Sequence, residues 1–253
     1  MNNPYIHLNR IEFIVTYACT GRCIHCSQGD HSDRGTYIDG DAAARVVRQT
    51  AQLYDIRSVM TFGGEPLLCP DAVCRIHTAA REAGIPKRQL ITNGFFSRDG
   101  IRIRDTARAL AHAGVNDLLL SADAFHQATV PLEWVKIFAA EVMEAGIPLR
   151  LNPAWLVSAE DDNPYNEKTR AIIASLTAMG VPDVLCGDGN VIFPEGNAAR
   201  YLAQYFDAAA PVVNPYEEDP ADVRTVSVEP DGSALGGNVY TDSIADILTA
   251  YRP

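Results

Sequence analysis

The phrase EAGIP occurs at residues 82–86 and again at 144–148, with near-copies HAGV at 112–115 and AMGVP at 178–182. The glycines in these phrases, Gly84, Gly114, Gly146 and Gly180, recur every 30–34 residues. A period of that length marks a repeated supersecondary unit. Each glycine follows a stretch with helical apolar spacing, such as Val73, Ile76, His77 and Ala80 before Gly84 and Val135, Phe138, Ala139 and Val142 before Gly146. Glycine just past a helix takes the left-handed cap that other residues resist. A short strand-like run follows each one, over 88–92, 115–121, 148–152 and 181–185. Two earlier runs, 11–16 and 57–62, flank a helical stretch over 41–54.

Strand and helix therefore alternate, which specifies parallel strands joined by crossover helices in an α/β fold. About six units fit before residue 195, short of the eight of a closed barrel. An open six-unit barrel and a doubly wound sheet both satisfy the pattern. The C-terminal part differs. Residues 223–240 alternate like two strands about the turn Pro230-Asp231-Gly232, and 242–251 have the pattern of a short helix capped by Asp242 or Ser243. The acidic, proline-rich stretch 207–222 reads as a surface excursion. The division expected is a lead-in over 1–10, an α/β core over 11–200, a linker over 201–222 and a hairpin-plus-helix cap over 223–253.

Composition narrows the function. A formal charge of −11 over 253 residues argues against a nucleic-acid or anionic-membrane binder. No apolar run is long enough to cross a bilayer, and the N-terminus MNNPYIHLNR has no signal core. The expected location is cytoplasmic. Six cysteines in such a chain do not form a disulfide framework. Cys19, Cys23 and Cys26 are clustered, whereas Cys69, Cys74 and Cys186 are scattered and suit packing roles.

The polar signals share a register. The cysteine run follows the first strand, GGEP at 63–66 follows the second, and TNG at 92–94 ends the third. SADAFH at 121–126 ends the fourth, and Arg150 and Asn152 lie on the fifth. All fall at the carboxyl ends of parallel strands, where α/β folds bind ligands. The cysteines could hold zinc, with His25 or His31 as a fourth ligand. The reading favoured by the spacing is a [4Fe–4S] cluster, in which three thiolates would leave one iron open. Arg150, among apolar residues on a strand, calls for a carboxylate from protein or ligand.

Together these motifs resemble the radical S-adenosylmethionine (radical SAM) superfamily. The resemblance rests on Cys19-x3-Cys23-x2-Cys26 and on Gly63-Gly64-Glu65-Pro66, and covers about residues 10–195. It implies a partial (β/α)6 TIM-like barrel with a small C-terminal β-hairpin and helix. It implies that Cys19, Cys23 and Cys26 ligate three irons of a [4Fe–4S] cluster, that SAM chelates the fourth, and that the motif Gly63, Gly64, Glu65 and Pro66 binds the SAM amino group. By the same resemblance His25 lies near the adenine, Thr92 and Asn93 join the SAM site, and Ser121 and Asp123 meet ribose or methionine. Arg150 and Asn152 match carboxylate-binding positions, and backbone around Val191–Phe193 meets the adenine.

The implied activity is reductive cleavage of SAM to a 5′-deoxyadenosyl radical that abstracts hydrogen from substrate. A low-potential donor such as flavodoxin or ferredoxin would supply the electron. The tail PDGSALGGNVYTDSIADIL resembles the start of the SPASM or twitch extension of peptide-modifying members, but residues 187–253 contain no cysteine for an auxiliary cluster. Peptide modification is favoured as the outcome. A small-molecule substrate, a glycyl-radical activase and a non-catalytic iron–sulfur sensor are the alternatives. Residues 1–10 leave no room for a leader-binding domain, so a peptide would need a partner protein or direct recognition. His126 is a further candidate for hydrogen or proton transfer.

Overall fold

A computed structural model of the chain describes residues 3–29, 31, 35–183, 189–207 and 214–253. Five strands follow in sequence: β1 (Arg10–Ile14), β2 (Ser58–Phe62), β3 (Lys87–Thr92), β4 (Asp117–Leu120) and β5 (Leu149–Leu151). Helices α1 (Gly40–Leu53), α2 (Pro70–Glu82), α3 (Gly100–Ala113) and α4 (Leu132–Glu144) make the crossovers. Alternation divides each strand. On β1, Ile11 and Phe13 are fully buried towards the helices, while Arg10 and Glu12 face the other way. The strands pair in parallel in the order β5-β4-β3-β2-β1. Sequential order without a switch point, with α1 to α4 packed in succession, is the winding of a barrel rather than a doubly wound sheet. Gly84, Gly114, Gly146 and Gly180 all have positive φ, as the repeat predicts.

The sixth strand of the sheet is not the one expected. Residues 181–183 form no strand, and 184–185 lie outside the described residues. The chain instead continues through β6 (Ala154–Trp155), α5 (Pro164–Thr177), β7 (Asn190–Val191) and α6 (Gly196–Tyr201). The short β6 and β7 pair with each other in parallel. The sheet is completed by β8 (Thr225–Val228), which pairs in parallel with β1.

This corrects the hairpin expected about Pro230–Gly232. Val226 and Val228 are completely buried on the helix side, and the open edge of β1 offers unpaired backbone groups that must be satisfied. Both demands draw 225–228 into the main sheet. The antiparallel pair is shorter and later, β9 (Ser233–Ala234) with β10 (Gly237–Asn238), reversing at Leu235-Gly236. The last helix, α7 (Ile244–Ala250), is capped by Ser243, which accepts from the Asp246 amide. Ile244, Ile247 and Leu248 join the same core as β1 to β5. Among the described residues no helix is long and apolar enough to cross a membrane.

Candidate functional site

The loop after β1 carries the clustered cysteines, and the GGEP segment after β2 locks it in place. β1–β2 pairing runs past the strand ends: Val15 donates to Phe62 O, Gly64 to Thr16 O at 2.7 Å and Glu65 to Ala18 O at 2.8 Å. The approach is so close that a Cβ on Gly63 would lie 2.5 Å from Thr16 O, and one on Gly64 would lie 2.1 Å from Ala18 O. Gly63 also has φ +134. Two glycines are therefore needed to hold Glu65 beside the chain that enters Cys19. Pro66 opens the single 3-10 turn that follows, with Glu65 as its cap.

The Glu65 carboxylate is fully buried. Oε1 accepts from the Leu67 amide at 2.9 Å and the Thr92 hydroxyl at 2.7 Å, and Oε2 accepts from the Asn93 amide at 2.9 Å. Burial pushes its pKa up to about 7 against the pull of those bonds. A carboxylate has about four acceptor positions, so three are used and one on Oε2 remains.

The three sulfurs sit in a ring of donors. Cys19 Sγ faces the Gly21 amide at 3.3 Å and Asn93 Nδ2 at 3.6 Å. The Thr129 side chain favours the charged form of Cys23, and the Gln28 and Gly29 amides that of Cys26, each against the larger effect of burial. The Cys19 and Cys23 sulfurs lie 3.6 Å and 3.2 Å from where a Gly21 Cβ would sit. Burial, followed by Glu65, pushes the Cys19 thiol up to about 12, and burial also raises Cys23 and Cys26. Buried sulfurs supplied with donors, yet costly to ionise alone, suit a cationic cluster that brings its own positive charge. Donors to thiolate sulfur are also what tunes such clusters.

The zinc alternative fits less well. Among the described residues no three His, Cys, Asp or Glu side chains gather closely enough for a single ion. The His25 ring packs 5.0 Å from Phe125 and 4.8 Å from His126. His31 Nε2 does reach Cys26 Sγ at 3.3 Å, while its Nδ1 donates to Tyr17 O at 2.8 Å.

The other rim residues fall into two groups. Asp123 is fully buried, with every acceptor position engaged inside the protein. Oδ1 takes the amides of Phe125 and His126, and Oδ2 takes His126 Nδ1 at 2.7 Å and the Ala154 amide at 2.9 Å. Burial opposes its ionisation, but His126 outweighs burial and holds the carboxyl far below its usual range. Burial likewise works against the charged form of His126, and Asp123 overcomes it to raise that pKa. What Asp123 presents to the rim is therefore a fixed His126 ring between His25 and the field of Glu65. His25 is lowered to about 4 by burial and by His126. Among the described residues its Nδ1 has no hydrogen-bond partner, nor has Gln127 Nε2. Two orphaned buried polar atoms at the rim suit a bound polar ligand.

Ser121 and Asn152 are buried at the ends of β4 and just past β5, where Ser121 N donates to Thr92 O and Asn152 N to Leu120 O. Ile192, between Val191 and Phe193, is tied by its amide to Trp155 O. Arg150 has a protein carboxylate: Nε and Nη2 grip Asp117 at 2.8 Å and 2.6 Å. Asp117 opens β4, so this pair lies on the barrel floor, away from the cysteine rim. Cys69 and Cys74 pack against the core, and Cys186 lies outside the described residues.

One contact was invisible in the motifs. Asn197 Nδ2 donates to Cys23 O and Gly29 O, and its amide donates to Cys26 O. A Cβ on the neighbouring Gly196 would lie 2.2 Å from Ser27 O. The start of α6 thus clamps the cysteine loop from a position about 170 residues downstream.

Comparison with known proteins agrees with this geometry. A GTP 3′,8-cyclase of Tolumonas auensis is 33% identical over 116 residues, 45% of this chain and 32% of that protein. A probable GTP 3′,8-cyclase of Saccharolobus islandicus is 29% identical over 210 residues, 79% of this chain and 65% of that one. The chain thus matches less than two thirds of either relative's own length. Among solved structures, Streptococcus suis SuiB bound to S-adenosylmethionine aligns with a TM-score of 0.58 at 14% identity, over 95% of this chain and 65% of that one. The enzyme anSMEcpe with bound AdoMet aligns at 0.59 and 14%, over 97% and 81%. At such identities the likeness is one of fold. The model of the radical SAM superfamily matches residues 13–151, more than half of the chain and all of β1 to β5 apart from the first strand's opening residues. With three cysteines on the loop after β1, one buried and two partly buried, and a pinned glutamate after β2 inside that span, the chain belongs to the radical SAM superfamily of enzymes, which use a [4Fe–4S] cluster and SAM.

Proposed function

We propose that this chain reductively cleaves SAM at the rim formed by Cys19, Cys23, Cys26 and Glu65, and uses the radical so formed to remove hydrogen from an organic substrate. The observation that carries this reading is the pairing of 63–65 with 16–18, which fixes a carboxylate beside the first cysteine of the loop. When bound, the cluster and SAM supply one-electron cleavage of the SAM carbon–sulfur bond. The electron would come from a flavodoxin or ferredoxin.

The residues hold and orient. Cys19, Cys23 and Cys26 would ligate three irons. Glu65, fixed by Leu67, Thr92 and Asn93, would use its remaining acceptor position for the SAM amino group. His25 Nδ1 and Gln127 Nε2 would gain the partners they lack among the described residues. Asp123 fixes the His126 ring, and the buried Ser121 and Asn152 line the same rim and exclude water.

A peptide is favoured as substrate because 230–248 resembles the extension carried by peptide-modifying members. A nucleotide is the second reading, and the relatives named GTP 3′,8-cyclase favour it. The test is anaerobic reconstitution followed by SAM and dithionite, with 5′-deoxyadenosine as the readout. A protein carrying a full complement of iron and sulfide that formed none would refute the proposal.

A further inference from the structure

The face of the sheet opposite the helices lines the barrel lumen. Alternation places Arg10 and Glu12 of β1, Met60 of β2, and Thr225 and Ser227 of β8 on that face, around a cavity of about 760 Å³. At its upper end is Glu229, which follows β8 and accepts through Oε2 from the Tyr17 hydroxyl. Tyr17 is two residues before Cys19, so one hydrogen bond joins the cavity wall to the chain that enters the cysteine loop, although among the described residues no cysteine lines the cavity itself.

A strap over 214–220 forms the outer wall and is tied to both banks. Tyr216 donates its hydroxyl to Asn190 Oδ1 of β7 at 3.1 Å. Glu218 accepts from the Arg224 and Thr225 amides and from the Thr225 hydroxyl beside β8. We propose that this cavity is the substrate chamber, and that it takes a substrate presenting a cationic amine or guanidinium rather than a nucleoside triphosphate. The inference rests on the radical reading above and names the substrate class for it.

The charge accounting carries the argument. Among the described lining residues the acids are Glu12, Glu217, Glu218, Asp219 and Glu229, and the one strong cation is Arg10. Arg10 is already engaged: Nε holds Glu12 Oε1 at 2.5 Å, Nη1 reaches Gln89 Oε1 at 2.9 Å and Ser58 Oγ at 3.3 Å, and Nη2 meets Met60 Sδ. Four of its five N–H groups are thereby committed, which leaves a single Nη2 donor and no two-pronged grip for a phosphate. Glu229 differs, because no donor among the described residues reaches Oε1. The half-buried carboxylate is held in place by Tyr17 with one oxygen turned to the cavity. A triphosphate would meet repulsion from this wall, whereas an amine would gain a charge-assisted hydrogen bond.

The test uses the anaerobically reconstituted full chain with SAM. Isothermal titration is run with spermidine, with the peptide acetyl-Gly-Lys-Gly-amide and with GTP. Saturable binding of a cationic probe that weakens as salt rises, without GTP binding, is the expected result. Peptide alone would place the cation on a polypeptide, and spermidine alone or both would show recognition of the amine itself. Glu229→Gln should weaken that binding about tenfold, and Glu217→Gln, on the exposed strap, about threefold. Tighter binding of GTP than of either cation overturns the inference, as does cation binding unchanged in both variants or absent altogether. 5′-Deoxyadenosine formation by the unaltered protein is measured in the same preparation. If it forms and no cation binds, the chamber assignment alone fails; if none forms, the radical reading has failed.

Discussion

Replacing Gly64 by alanine probes the joint between the GGEP segment and the cysteine loop. The new Cβ would stand 2.1 Å from Ala18 O, 2.6 Å from Ala18 C and 2.8 Å from Tyr17 O, all backbone atoms that cannot rotate aside. Restoring an ordinary contact of about 3.5 Å separates the segments by about 1 Å or more. The bonds Gly64 N to Thr16 O and Glu65 N to Ala18 O, now 2.7 Å and 2.8 Å, would then be broken. Two buried backbone pairs left unsatisfied cost about 1–3 kcal/mol each, so the variant should lose about 4 kcal/mol. At about 2–4 °C per kcal/mol for a chain of this size, Tm should fall by about 8–16 °C. Gly84→Ala is the control. That glycine also has positive φ, +73, but nothing lies within 4 Å of its Cβ position, so only left-handed strain of about 1 kcal/mol applies. Function should fall more steeply than stability, because Glu65 moves relative to Cys19, and a misplacement of about 1 Å can cost about a hundredfold in rate. Calorimetry of both metal-free variants, with SAM titration of the reconstituted proteins, decides the matter. A G64A protein that melts within about 2 °C of G84A and binds SAM with native affinity would refute the steric argument.

Cys23→Ala should abolish cluster binding, seen as loss of iron and sulfide after reconstitution, while circular dichroism shows an intact fold, because the sheet core lies elsewhere; retained SAM cleavage would remove Cys23 from the ligand set. Arg150→Ala should lower stability by about 1–2 kcal/mol, discounted because the pair is partly exposed at 26% and 12%. It should leave SAM affinity unchanged, and a clear SAM defect without a stability loss would return Arg150 to the ligand. Glu65→Gln tests the buried carboxyl through pH. Its folded pKa, about 7, lies above the ordinary carboxyl value of 4.5. The stability it contributes is therefore complete below about 4.5 and is lost as pH rises through about 7. In urea titrations of metal-free protein, the unaltered chain should lose ground relative to the glutamine variant between pH 5 and pH 8; a difference that stays flat or runs the other way would sink this account.

The legible parts of the protein are those where physics acts over short stretches of chain. The capping glycines, the apolar periods of α1 to α4 and the register of CxxxCxxC, GGEP, TNG and SADAFH along successive strands are all local, and each appears where the sequence places it. What stayed hidden depends on residues far apart meeting in space. Nothing in VRTVSVEP distinguishes a hairpin strand from one that enters the main sheet, because Val226 and Val228 would alternate identically in both; the open edge of β1 decides. Arg150 announced that it needed a carboxylate but not which one, and Asp117, on the neighbouring strand and in the same lumen-facing set, supplies it. Asn197 and Gly196 carry no motif, yet their close packing on 23–29 is as restrictive as that of Gly64 on Ala18. Tyr17 and Glu229, 212 residues apart, read as an ordinary aromatic and an ordinary acid until β8 joins β1. The division has a physical basis. Motif residues are constrained by a ligand set that a short loop can present, whereas the clamp and the chamber wall are constrained by the closure of the sheet. The chemistry of the cysteine loop is therefore shared across a superfamily, while the residues proposed above to choose a substrate sit on β8 and the strap, where sequence patterns carry the least information.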